Sequence, residues 1–101
     1  MTVNTRGKQP NPQSPLYEAF LKLKTREEVY AFFTDLCTVP EMLAMEQRFE
    51  VARLLSQGAI YADIEERTGA SSATVSRVNR FLNYGAEGYH MVLDRMKDEE
   101  A

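Results

Sequence analysis

Three helix starts follow one another within the first 41 residues, and this repetition constrains the fold more than any other feature of the chain. Ser14-Pro15 sets a capping serine before a proline, whose fixed φ suits a first helical turn. Thr25 is followed three residues later by Glu28, and Thr38 by Glu41 with Pro40 between them. In both, the threonine hydroxyl can accept from a free amide of the first turn while the glutamate reaches back to the cap. Starts this close together predict short helices.

The stretches between the starts have helical apolar spacing. Leu16, Tyr17, Phe20, Leu21 and Leu23 form a first stripe, and Val29, Phe32, Phe33 and Leu36 a second. A third helix over about 40–57 carries Met42, Leu43, Met45, Phe49, Val51, Ala52, Leu54 and Leu55 around most of its circumference. A helix apolar on nearly all sides is buried on several, so it is expected at the centre. Gly58 supplies its stop. A short helix over about 60–68 is broken by Gly69, and Ser71 or Ser72 caps a helix reaching about Leu82. After the punctuating "NYG", a last helix over about 86–97 places Tyr89, Val92, Leu93 and Met96 on one face. No stretch reads as a strand. The predicted class is all-α, with about six short helices.

Residues 1–13 hold two prolines, a glycine and little apolar matter, and read as a flexible arm. One helical domain is expected over 14–97, and residues 98–101 should fray. A chain of 101 residues makes one domain, and as a monomer it buries a limited share of its surface. Apolar faces on more sides than one chain can cover favour a homodimer. Cys37 is the only cysteine and cannot form an internal disulfide. No apolar run approaches the length of a membrane span, and there is no secretory signal core, so the cytoplasm is the expected compartment.

Enzyme chemistry has little to build on. His90 is the only histidine and reads as a surface or interface residue. Glu46 and Glu50 lie one turn apart and read as a solvated face. Met42 and Met45 are core filler. Gly85 and Gly88 follow no strand, so no phosphate-cradling loop is implied. No catalytic residue, metal site or cofactor is expected.

The segment over about 60–82 is the distinctive part. Two helices meeting across a short glycine turn are the pattern of a helix-turn-helix, with Ile64, Val75 and Val78 spaced to hold them together. The second helix then points Ser72, Ala73, Ser76, Asn79 and Arg80 outward, with Arg77 at the edge of that face. Major-groove edges are read by such groups: arginine on guanine, asparagine on adenine, a methyl on thymine. Ser72, Ala73, Ser76 and Arg80 are assigned to bases. Arg67, Ser71, Arg77 and Asn79 are assigned to the phosphate backbone or the groove edge. Charge is the counterweight. The whole chain carries −3. Within 60–82, Asp63, Glu65 and Glu66 cancel Arg67, Arg77 and Arg80. An alternative reading is a helical homodimer that has lost DNA binding and docks a protein partner.

The stretches "VPEMLAMEQRFEVARLLSQG" and "TGASSATVSRVNRFL" resemble the Trp-repressor superfamily, and within it the small YerC/YecD-like branch. The resemblance spans about 16–93. It implies an intertwined homodimer of six short helices per chain, whose two heads enter successive major grooves of a palindromic operator in double-stranded DNA. It implies a transcriptional regulator, in the repressors' sense. Repressors of this family take tryptophan as corepressor between two arginines, and Arg48 and Arg77 fall on those positions, with Thr74 matching a further pocket residue. The pattern then departs from the family. Val78 stands where the repressors have glycine, and Phe81 where they have a small serine. Both are expected to block the indole space, so a tryptophan-dependent switch, or any small-molecule corepressor, is not expected. Ala62 and Glu65 replace an arginine and a lysine that meet DNA in the repressors, so the target sequence does not carry over.

Overall fold

The computed structural model describes residues 5–100 and contains six helices. They are α1 (Pro15–Phe20), α2 (Arg26–Leu36), α3 (Val39–Ser56), α4 (Tyr61–Thr68), α5 (Ser72–Tyr84) and α6 (Gly88–Glu100). Among the described residues there is no strand, and no helix is long and apolar enough to cross a membrane. Residues 5–13 are exposed and non-helical, with turns at Arg6-Gly7 and Pro12-Gln13. The rest of the expected arm, 1–4, lies outside the described residues.

Each helix start follows from its cap. Ser14 Oγ accepts from the Leu16 amide at 3.3 Å, with Pro15 in the first turn. At Thr38 both arms of the capping box close: Thr38 Oγ1 accepts from the Glu41 amide at 3.2 Å, and Glu41 Oε1 accepts from the Thr38 amide at 2.8 Å. At Thr25 only one arm closes in that way. Thr25 Oγ1 accepts from the Glu28 amide at 3.1 Å, but Glu28 Oε1 takes the amide of Lys24 at 2.9 Å, one residue earlier.

The chain forms two compact units, one ending at Cys37 and one beginning at Thr38. In the first, Phe20 of α1 meets Phe32 of α2 edge-on, with ring centroids 5.4 Å apart, and tilts against Phe33 at 5.5 Å. No residue of these two helices is fully buried.

The second unit holds the core. Val51, Ala52 and Leu54 of α3 are buried with Ile64 of α4, Ala70 of the turn, and Val75 and Val78 of α5. Tyr89 and Leu93 of α6 pack on this cluster. α3 touches all three of the other helices and is the organising element of the unit. It is not buried all round in a single chain. Val39 and Leu43 near its N-terminus are exposed, while its buried residues Val51, Ala52 and Leu54 all lie in the C-terminal half. The exit from α3 is a Schellman closure. Gly58 takes φ 87°, its amide donates to the Leu55 carbonyl at 3.0 Å, and the Ala59 amide donates to the Leu54 carbonyl at 3.1 Å. α6 runs to Glu100, beyond the expected end near 97, so most of the tail expected to fray is helical. Ala101 lies outside the described residues.

Candidate nucleic-acid interface

α4 and α5 are joined by three residues whose geometry is closely specified. Gly69 ends α4 in the left-handed region, φ 74° and ψ 4°, and its amide donates to the Glu65 carbonyl at 2.9 Å. Side chains carry this conformation poorly, and glycine carries it without penalty. Thr68 Oγ1 donates to the Ile64 carbonyl at 2.7 Å and accepts from the Ala70 amide at 3.1 Å. Ala70 is buried between the helices. From α3, Gln47 Nε2 donates to the Thr68 carbonyl at 3.2 Å. The turn is thus fixed by its backbone, by Thr68 and by a neighbouring helix.

Ser71, not Ser72, is the cap of α5. Its Oγ accepts from the Thr74 amide and donates to Thr74 Oγ1, both at 3.1 Å. Its hydroxyl is therefore committed to the helix start. Buried Val75, Val78 and Leu82 define the inner stripe of α5. On the opposite side Ser72, Ala73, Ser76, Arg77 and Arg80 are exposed together on one continuous face. Asn79 is half-buried at its edge, where its carbonyl and Oδ1 accept from Asn83 Nδ2 at 3.0 and 3.3 Å. Arg67 is exposed on α4, on a different helix from this face. Its charge helps to hold Glu50 of α3 ionised. The main cause of that carboxyl's lowered pKa is the hydrogen bond from Arg53; partial burial opposes it, and the charges of Arg53 and Arg67 add smaller lowering effects.

The outward face is longer than its sequence suggested. α5 continues past Leu82 through Asn83 and Tyr84. Tyr84 is 87% exposed and lies on the line of Ala73 and Arg80. It was hidden by the "NYG" signal, which reads as punctuation although its first two residues complete the last turn. No acidic residue lies on α5.

Behind this face α3, α5 and α6 enclose an open cleft of about 470 Å³. Arg48 and Gln47 line it from α3, Thr74, Arg77 and Phe81 from α5, and Tyr89 from α6. The arginines expected to share a pocket thus do so, with Thr74 beside them. Val78 and Phe81 narrow the cleft without filling it. Val78 turns into the core at 2% exposed, and Phe81 is 50% exposed along the wall. Arg77 belongs both to the cleft and to the edge of the outer face.

Known proteins agree with this architecture. The chain is 52% identical over 95 residues to the uncharacterized protein YerC of Bacillus subtilis (strain 168), an alignment covering 94% of this chain and 88% of that protein. The crystal structure of a candidate Trp repressor from Staphylococcus aureus superposes with a TM-score of 0.82 at 45% identity, over 95% of this chain and 96% of that one. A TrpR-like protein from Eubacterium eligens ATCC 27750 superposes with a TM-score of 0.78 at 54% identity, over 81% of this chain and 84% of that one. The family model described as Trp repressor protein matches residues 13–97, and the chain accordingly belongs to the Trp repressor family.

Proposed function

We propose that this chain binds double-stranded DNA sequence-specifically as a homodimer and regulates transcription, as a repressor acting at a palindromic operator. The observation that carries the reading is the open polar face of α5. Ser72, Ala73, Ser76 and Arg80 stand clear of the core, on a helix whose start and turn are fixed by side-chain and backbone hydrogen bonds. Such a face offers arginine, hydroxyl and methyl groups to base edges. The reading assigns Arg67, Arg77 and Asn79 to phosphates or the groove rim, and the amides at the α5 N-terminus suit a phosphate. Family membership supports a regulator of this kind.

A homodimer accounts for the apolar surface that one copy leaves uncovered. Leu21 is 75% and Tyr30 63% exposed in the first unit, and Val39 68% and Leu43 59% exposed on α3. Two heads are also what affinity requires, since one α5 supplies only Arg77 and Arg80 as cations.

Regulation does not depend on tryptophan in this reading. Phe81 lines the same cleft as Arg48 and Arg77, and the indole would have to share that space with its ring. The test is selection of binding sites from random duplexes, followed by titration of the selected duplex by fluorescence anisotropy with and without tryptophan. A palindromic preference with affinity indifferent to tryptophan is expected. Absence of any duplex preference would leave the protein-docking module as the better account, and stoichiometric tryptophan uptake by calorimetry would overturn the corepressor statement.

A further inference from the structure

We infer that His90 is a positioning residue for DNA reading: its imidazole holds the C-terminal end of α5 and so sets the pose of the reading face. The inference rests on the DNA-binding reading above. The last carbonyls of a helix lack intrahelical donors and must be satisfied otherwise. α3 solves this with backbone alone, since the Leu54 carbonyl receives the Ala59 amide. Leu82 holds the equivalent position in α5, counted back from its cap residue Gly85. Gly85 leaves α5 in an extended conformation, φ −91° and ψ −153°, not in the left-handed one that closes α3. The Leu82 carbonyl is met by a side chain instead: His90 Nε2 lies 2.7 Å from it, across eight residues. A carbonyl oxygen only accepts, so Nε2 carries the proton and donates, whether the ring is neutral or charged.

Three further observations make this bond a strut. The connection between α5 and α6 is only three residues, 85–87. It has no slack, because a Cβ on Gly85 would collide with the Phe81 carbonyl, and Glu87 takes φ 70°, a conformation a residue with a Cβ adopts only when its surroundings demand it. α6 is itself fastened, with Tyr89 and Leu93 seated on the core to either side of His90. The N-terminal half of α5 is anchored by the Ser71 cap, Val75 and Val78, whereas past Val78 only Leu82 is buried. Arg80 and Tyr84 flank Leu82, so a shift of this end moves the groups that face outward beside it. Base contacts with fixed geometry are lost by such a shift, while phosphate contacts adapt.

The test compares full-length wild type, His90→Phe and His90→Gln on a selected and a scrambled duplex, at one salt concentration and well below the melting temperature. His90→Phe should weaken binding to the selected duplex about tenfold, within the range of one lost base contact, and leave the scrambled duplex unchanged. His90→Gln, whose amide can donate to the same carbonyl, should recover most of the loss. Unchanged selected binding in His90→Phe, an equal fall on both duplexes, or no recovery in His90→Gln each overturns the proposal. Hydrogen exchange provides a readout independent of DNA. Amides 81–84 should lose protection in His90→Phe and regain it in His90→Gln, while amides 75–78 keep theirs. If wild type prefers no duplex, the DNA-binding reading fails on its own, and exchange at 81–84 still decides whether His90 holds α5.

Discussion

Gln47 of α3 donates its side-chain amide to the carbonyl of Thr68, the last residue of α4, at 3.2 Å. The bond spans 21 residues and reaches the turn one position before Gly69. α4 lacks a side-chain cap at its start, and this contact ties its end to α3. Replacing Gln47 with leucine keeps the volume and removes the donor. It should lower stability by about 1 kcal/mol, the net value of one partly buried hydrogen bond. Urea denaturation with an unchanged slope and an earlier midpoint would show it.

Gly69 and Gly85 make opposite demands. At Gly69 nothing lies within 4 Å of an added Cβ, so alanine meets only the left-handed backbone penalty. That is about 1–2 kcal/mol, and the fold should survive. At Gly85 the backbone φ is ordinary but the Cβ would strike the Phe81 carbonyl, and the α5–α6 joint must shift. Gly85→Ala should therefore be the more damaging of the two, with thermal melts giving the order. Equal melting temperatures would contradict the collision.

Two carboxylates sit below their ordinary value of 4.5. Glu50 does so chiefly through the hydrogen bond from Arg53, and Glu41 through the Thr38 backbone amide. A lowered folded value means that each contributes stability in full above the unfolded value and loses it as pH falls through the folded one. Melting temperature should thus be flat near neutrality and fall below about pH 4.5, because there the unfolded chain's carboxylates take up protons more readily than the folded ones and acid favours the unfolded state. Glu50→Gln should shallow that fall. The effect is modest, because the Glu50–Arg53 pair, 2.6 Å apart, is 41% and 37% exposed, and such pairs contribute less than about 1 kcal/mol.

Arg80 lies at the centre of the outer face of α5, and Arg77 at its edge. Arg80→Ala should cost about 1–3 kcal/mol on the best duplex and relax preference at one base position. Arg77→Ala should weaken all duplexes alike and reduce the salt slope by roughly one unit per head. Anisotropy titrations over a salt series separate the two. Identical profiles for both variants would refute the division of roles.

Local rules made most of the helices legible. Ser14, Thr25 and Thr38 cap where their hydroxyls predict, since a cap depends only on residues two or three positions away. The glycine at the turn was legible for the same reason. What the sequence obscured depends on distant partners. Nothing near His90 in the chain marks Leu82 as its acceptor, so it read as a surface or interface histidine. Val78 and Phe81 looked like equal obstacles in the cleft, yet helix phase sends one to the core and leaves the other on the wall. α3 read as central and buried on several sides, but its composition did not say that its fully buried residues would gather in the C-terminal half. The choice between Ser71 and Ser72 needed the hydroxyl's actual partner.

The charges of the head are sorted, although they sum to zero. Asp63, Glu65 and Glu66 stand on α4 with Arg67, a net −2, while Arg77 and Arg80 stand on α5 with no acid, a net +2. A body of this kind gains little pull from a distant polyanion, whose field is nearly uniform across it, but it feels a torque. On the DNA-binding reading proposed above, that torque would turn the arginine side toward a duplex and the acidic side away, so the head would select its own angle of approach before any base is touched.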